Sequence, residues 1–189
     1  MRIEEKIELA KAIYDEYGEV LKSKYCEILR RLDQAIGRTW DYMRSTGITE
    51  ICRRCAIETG SCCWRWIEDL YDVETLLINL LLNVELPRER YRENLCLFCG
   101  ENGCKLRARE GICVTYLCER IDVDRIEFNS VCSVELGLMS LLKVRIRRFL
   151  DQRVPRSSSY IGFWRSHHPQ ALSFGRYTVF DDEGRSTLR

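Results

Sequence analysis

A mainly α-helical fold, with helices flanking a compact cysteine-rich metal-binding module of irregular loops, is predicted for this 189-residue chain by three observations. Apolar residues recur at the spacing of one helix face from Ile3 to Met43 and again from Leu136 to Leu150. Nine of the eleven cysteines fall between Cys52 and Cys118, in pairs and short steps that suit thiolate chelation. Gly100, Gly103 and Gly111 punctuate the second half of that run, where a backbone turning tightly round an ion favours residues without a Cβ.

The first region, residues 1–46, reads as one long helix or as two joined near Gly18 or Gly37. Its stripe is Ile3, Ile7, Ala10, Ile13 and Tyr14, Tyr17, Val20 and Leu21, Tyr25, Ile28, Leu32, Ala35 and Ile36, Trp40 and Met43, with charged residues on the other faces. Cys26 lies beside the stripe and reads as a small buried hydrophobe. Gly47 is the expected C-terminal breaker, leading into the first cysteine knuckle. Residues 47–154 form the cysteine-rich module and its flanking helices. Within it, Trp64 to Leu86 is expected to be helical and to be stopped by Pro87, with a second start near Val73 offered by Asp72 and Glu74. Arg88 to Asn94 reads as a polar connector. Helix resumes from Glu119, carries Cys132 as a packing residue, and ends before Pro155. Residues 155–189 are a tail with little helical period, with a short strand expected over RYTVF.

Composition sets the broad class. At 46% hydrophobic and 31% charged residues with a net charge of +1, the chain has no bulk field favouring nucleic acid or a membrane surface. The N-terminus alternates charged and apolar residues and lacks a signal-peptide core. Its most apolar stretch, Leu76 to Leu86, is interrupted by Asn79, Asn83 and Glu85 and falls short of the roughly 20 residues that span a bilayer. The expectation is therefore a cytosolic (cytoplasmic) protein with no membrane partner and with reduced thiols, not a secreted disulfide scaffold.

The cysteine run reads C52-x2-C55-x6-C62-C63, then, after 32 residues, C96-x2-C99-x4-C104-x8-C113-x4-C118. A two-residue spacer lets both sulfurs of a pair approach one ion, and thiolate is the ligating form. Zinc and iron both accept four sulfurs in a tetrahedron, so zinc is the leading expectation and an iron or iron-sulfur centre the alternative. The spacing departs from the bacterial ferredoxin run, and no C-x3-C-x2-C appears.

On these residues the chain resembles the YkgJ-like (CxxCxxCC) family of zinc- or iron-chelating proteins. The resemblance covers Cys52 to Cys118. Cys52, Cys55, Cys62 and Cys63 match its C-x2-C and vicinal pair, and Cys96 with Phe98 matches the start of its second element. Gly103, Cys104, Leu106, Arg109, Cys113, Tyr116 and Cys118 approximate the remainder. The resemblance implies eight metal-ligating thiols: Cys52, Cys55, Cys62, Cys63, Cys96, Cys104, Cys113 and Cys118. Eight divides into two four-thiolate sites, or into one site with spare structural thiols. Three departures stand out: six residues instead of two separate Cys55 from Cys62, the step from Cys104 to Cys113 is one shorter with Glu110 in place of proline, and Cys99 adds a sulfur where the family has a hydrophobic residue.

Other candidates are weaker. C52-R-R-C55 lacks the strand-helix setting of a redox dithiol. His167 and His168 read as solvated tail residues, with metal ligation or base chemistry as their sharper role. Lys143, Arg145, Arg147, Arg148, Arg153 and Arg156 form a basic helix end that the helix dipole alone favours. With Tyr160, Phe163 and Trp164 for stacking, that end offers a protein or RNA interaction module as a further alternative. No nucleophile-base arrangement is recognisable, so the expected role is non-catalytic metal chelation.

Overall fold

Residues 1–58 and 62–153 are described in this computed structural model, together with the backbone of Val179–Phe180 and Ser186–Thr187. The chain divides into two compact units, Met1–Phe149 and Leu150–Arg189. Within the described residues it is mainly helical, as the apolar periodicity predicts.

Helix α1 (Ile3–Lys24) and helix α2 (Cys26–Ser45) meet at Tyr25. Neither Gly18 nor Gly37 makes the break, contrary to expectation: Gly18 sits inside α1, where an added Cβ would lie 3.0 Å from the Tyr14 ring, and Gly37 lies inside α2. Tyr25 leaves the helical region (φ −114°, ψ 18°), and its buried side chain donates a hydrogen bond to the Arg145 carbonyl at 3.0 Å. A contact 120 residues away in sequence thus anchors the break. Cys26, next to it, is exposed, which corrects its reading as a buried hydrophobe. The buried stripe runs on through Leu21, Tyr25, Leu29 and Leu32, and Cys26 lies off it.

Helix α2 ends as expected at Gly47, whose φ of +78° places it in the left-handed region, and Gly47 N–H reaches the Arg44 carbonyl at 3.2 Å. Helix α3 (Ile48–Glu58) follows. The first cysteine pair therefore lies on a helix and not in a loop knuckle.

A 3-10 helix (Arg65–Leu70) and helix α4 (Val73–Leu81) come next, with Asp72 capping α4 through Thr75 N–H at 2.8 Å. The second start near Val73 is as read. The stop is not Pro87: Asn83 adopts φ +61°, its N–H bonds Leu80 O at 3.0 Å, and Val84 N–H bonds Asn79 O at 2.9 Å. These paired bonds satisfy the last carbonyls of α4 in a Schellman closure six residues before Pro87 is reached in a helical sense.

Strands β1 (Cys99–Gly100) and β2 (Gly103–Cys104) form a tight antiparallel hairpin in which Cys99 pairs with Cys104. Helix α5 (Gly111–Thr115) is short, and most of helix α6 (Arg125–Arg153) belongs to the first unit. The expected start of α6 at Glu119 is too early: Asp124 Oδ1 accepts from Ile126 and Glu127 N–H at 2.8 and 3.1 Å and fixes the start at Arg125. In the second unit, β3 (Val179–Phe180), which lies within the segment expected to form a strand, pairs antiparallel with β4 (Ser186–Thr187), which lies beyond it. His167, His168, Tyr160, Phe163, Trp164 and Arg156 lie outside the described residues.

Helix α1 lies along α4, and α2 packs on α3. A core formed by Met43, Ile48, Val114, Leu117, Ile121, Phe128 and Cys132 joins the end of α2 to α3, α5 and α6. Cys132 is fully buried there, as its packing role predicts. The basic end of α6 is partly engaged inside the protein: Lys143 bridges Asp72 (3.1 Å) and Glu110 (2.9 Å), and Arg147 pairs with Glu74 at 2.7 Å. Among the described residues, no helix is long and apolar enough to cross a membrane.

Candidate metal centre

Cys52 and Cys55, three apart on α3, share one helical face. Cys62 and Cys63 precede the 3-10 helix. Cys63 is held against the hairpin strand segment, because Cys96 N–H donates to its carbonyl at 2.8 Å and Trp64 bridges Leu95. Cys96, Cys99 and Cys104 come from the hairpin and its approach, Cys113 from α5, and Cys118 from the loop after it.

These segments enclose one cavity of about 310 Å³. All eight predicted thiols line it, and Cys99 lines it as a ninth. Cys26 and Cys132 do not. The rest of the wall is largely apolar: Trp40, Met43, Ile48, Phe98, Val114 and Phe128 are among its members, so the core cluster, Cys132 excepted, doubles as the cavity lining. Cys55, Cys96 and Cys99 are buried, whereas Cys52 and Cys62 are exposed. As they stand, no group of three or more His, Cys, Asp or Glu among the described residues converges on a single ion position.

Six of the cavity thiols, Cys52, Cys62, Cys96, Cys99, Cys104 and Cys113, are raised above the ordinary thiol value. Burial pushes Cys96 up to about 12, against the lowering pull of the Phe98 N–H on its sulfur. Burial likewise pushes Cys113 up to about 11, while the Tyr71 hydroxyl, donating to its sulfur at 3.7 Å, pulls it down. Cys104 is raised by burial, opposed by Arg109 and by the Leu106 N–H. A hydrogen bond with Cys63, then burial, raises Cys99. The i+2 amides of Phe98 and Leu106 explain why C-x-F and C-x-L are useful units: each places a backbone donor where a thiolate would need it.

Two arginines face the thiols. Arg120 donates to the Cys55 sulfur at 3.2 Å. Arg109 is buried, stacks on Trp40 with its guanidinium 4.3 Å from the ring centroid, contacts the Met43 sulfur at 3.8 and 3.9 Å and reaches the Cys113 carbonyl at 3.5 Å. Its Nε has no hydrogen-bond partner. Glu135 lies near it, its carboxyl raised by burial and lowered by the Arg109 charge.

No family model, curated protein or solved structure matches the chain.

Sequence reading did not foresee the supports of the site. Glu68 and Arg90 form a buried ion pair, Glu68 also accepts Leu97 N–H at 2.8 Å, and Arg90 also donates to Leu95 O at 3.1 Å. The pair clamps the 3-10 helix to the residues on either side of Cys96, inside a stretch read as a polar connector. Asn79 is fully buried and uses all four of its amide valences: it donates to Thr75 O and Ala108 O and accepts from Arg107 and Ala108 N–H, at 2.8 to 3.0 Å. Glu110 accepts from Thr75 Oγ1 at 2.5 Å and from Lys143 at 2.9 Å, fixing the start of α5 against α4 and α6. A lone polar residue inside an apolar run, as Asn79 is, was the available signal.

Proposed function

We propose that this chain is a non-catalytic metal-thiolate protein that holds zinc, or iron, through Cys52, Cys55, Cys62, Cys63, Cys96, Cys104, Cys113 and Cys118. The carrying observation is selective placement: nine cysteines from separate segments line one apolar cavity while the remaining two lie elsewhere. The donor set fits a borderline-soft cation, and the buried, undercompensated Arg109 fits the net negative charge that a four-thiolate ion carries. The likeness to the YkgJ-like pattern belongs to the same proposal, since all eight of its thiol positions fall on this wall. When bound, the metal would act as a cross-link between helix α3, the hairpin and α5, contributing folding energy as structural sites do. An iron or iron-sulfur centre is the second reading, favoured by a cavity of about 310 Å³ walled by apolar residues.

Elemental analysis of anaerobically purified, reduced protein tests the proposal. Cys55→Ser, Cys63→Ser and Cys113→Ser should each lower metal content, because a closed tetrahedral site that loses one thiolate is left open. Cys26→Ser and Cys132→Ser should not. Metal content below about a tenth of an ion per chain in the unsubstituted protein would refute the reading. A brown preparation with thiolate-to-iron absorbance would select iron.

A further inference from the structure

The nine cavity thiols fall into two sets. On the helix side, Cys52 and Cys55 share a face of α3, Arg120 from the loop after Cys118 donates to Cys55 at 3.2 Å, and Cys62 hydrogen-bonds both Cys118 and the Tyr116 hydroxyl. On the hairpin side, Cys63 is tied by backbone to Cys96, Cys99 pairs in register with Cys104, and Tyr71 spans from the Phe98 ring, 4.7 Å away, to the Cys113 sulfur at 3.7 Å. The division runs through the vicinal pair. Cys62 hydrogen-bonds Cys118, whereas Cys63, next to the Trp64–Leu95 bridge, is tied to Cys96 and Cys99 and also lies near Cys52.

Each set also has its own charge and its own phenol. Arg120 and Tyr116 attend the helix side; Arg109 and Tyr71 attend the hairpin side. A tetrahedral ion takes four sulfurs, so one ion would leave five of the nine thiols without a cation in an apolar wall. Resting on the metal-thiolate reading above, we infer that the cavity is a two-centre site, with Cys52, Cys55, Cys62 and Cys118 holding one ion and Cys63, Cys96, Cys104 and Cys113 a second. Cys99, beside Cys63, is the spare sulfur of the hairpin side.

The test is an anaerobic titration of the reduced, demetallated full-length chain with Co²⁺, followed by thiolate-to-cobalt charge-transfer absorbance. The expected break for the unsubstituted protein is at about two Co²⁺ per chain. The double variants Cys52→Ser/Cys118→Ser and Cys96→Ser/Cys104→Ser should each retain about one, with the far-ultraviolet helical signal preserved. A break at one Co²⁺ in the unsubstituted protein would overturn the two-centre assignment without any variant having to fold. So would loss of all cobalt absorbance in a double variant whose helical signal is intact, since the sulfurs would then act as one centre. No cobalt binding at all would instead overturn the metal-thiolate reading itself.

Discussion

Asn79 shows what a single polar side chain can do in a buried helix. Its amide closes the backbone of Arg107 and Ala108 against α4, immediately before Arg109 and α5. Removing it strands two N–H groups and a carbonyl in a dry interior, each worth on the order of 1–3 kcal/mol when unpaired. Asn79→Ala is therefore expected to destabilise the protein by roughly 2–5 kcal/mol, read by chemical denaturation of metal-free protein. An effect below about 1 kcal/mol would mean that water replaces the amide. The raised thiols make a second prediction at this scale. In metal-free protein, Cys96 and Cys113 lie near 12 and 11, above the ordinary thiol value of about 8.5. The folded state then binds their protons more tightly than the unfolded state does, so their contribution is whole below about pH 8.5 and is lost as pH rises through 11 to 12. Metal-free protein should show a falling melting temperature over that window. Metal-loaded protein, with the thiols already ionised, should not share the decline, and loading near pH 7 should release about four protons per ion to a weak buffer.

Among the elements, the 3-10 helix and the hairpin approach depend on one another through Glu68 and Arg90. Both side chains are withdrawn from water, with 6% and 13% of their surfaces exposed, so removing either partner leaves a charge without compensation. Glu68→Ala is expected to cost about 3–5 kcal/mol. It also frees Leu97 N–H and should weaken metal retention by the Cys96 side of the cavity before the Cys52 side. Equal loss from both sides, measured as cobalt retained by each double cysteine variant carrying Glu68→Ala, would show that the clamp supports the whole unit and not the hairpin alone. The helix boundaries divide by cause. Gly47 and Asp72 are legible because local backbone chemistry decides them: a left-handed C-terminal residue and an N-terminal oxygen acceptor. The break at Tyr25 is not, because its anchor is a carbonyl on α6. The connector containing Arg90 misled for the same reason, since charge reads as solvation until its partner is known.

The molecule as a whole places every cavity-lining residue within Met1–Phe149, the first compact unit. Removal of residues 155–189 should therefore leave the metal stoichiometry and the helical signal of the remainder unchanged, as judged by elemental analysis and circular dichroism. Loss of metal on truncation would show that the tail contributes to the centre. Across the unit, the same apolar residues serve as core and as cavity wall, so on the metal-thiolate proposal metal loading would be coupled to global stability: ligands that bind only the folded chain raise its stability by mass action. Stripping metal should accordingly lower the melting temperature at any pH where the thiols load.

Read alone, the sequence determined that the chain is mainly helical, that its thiols are concentrated between Cys52 and Cys118, and that Cys132 packs in the core. Periodicity and spacing are local properties of a chain, and they carry that much. Only the tertiary structure decided that Cys99 lines the same cavity as the others, that Cys26 faces solvent, and that Arg109 and Arg120 stand beside the sulfurs. Those outcomes depend on which segments meet, and the 32 residues between Cys63 and Cys96 can bring two cysteine groups together in many ways until Asn79, Glu68 and Tyr25 fix one of them.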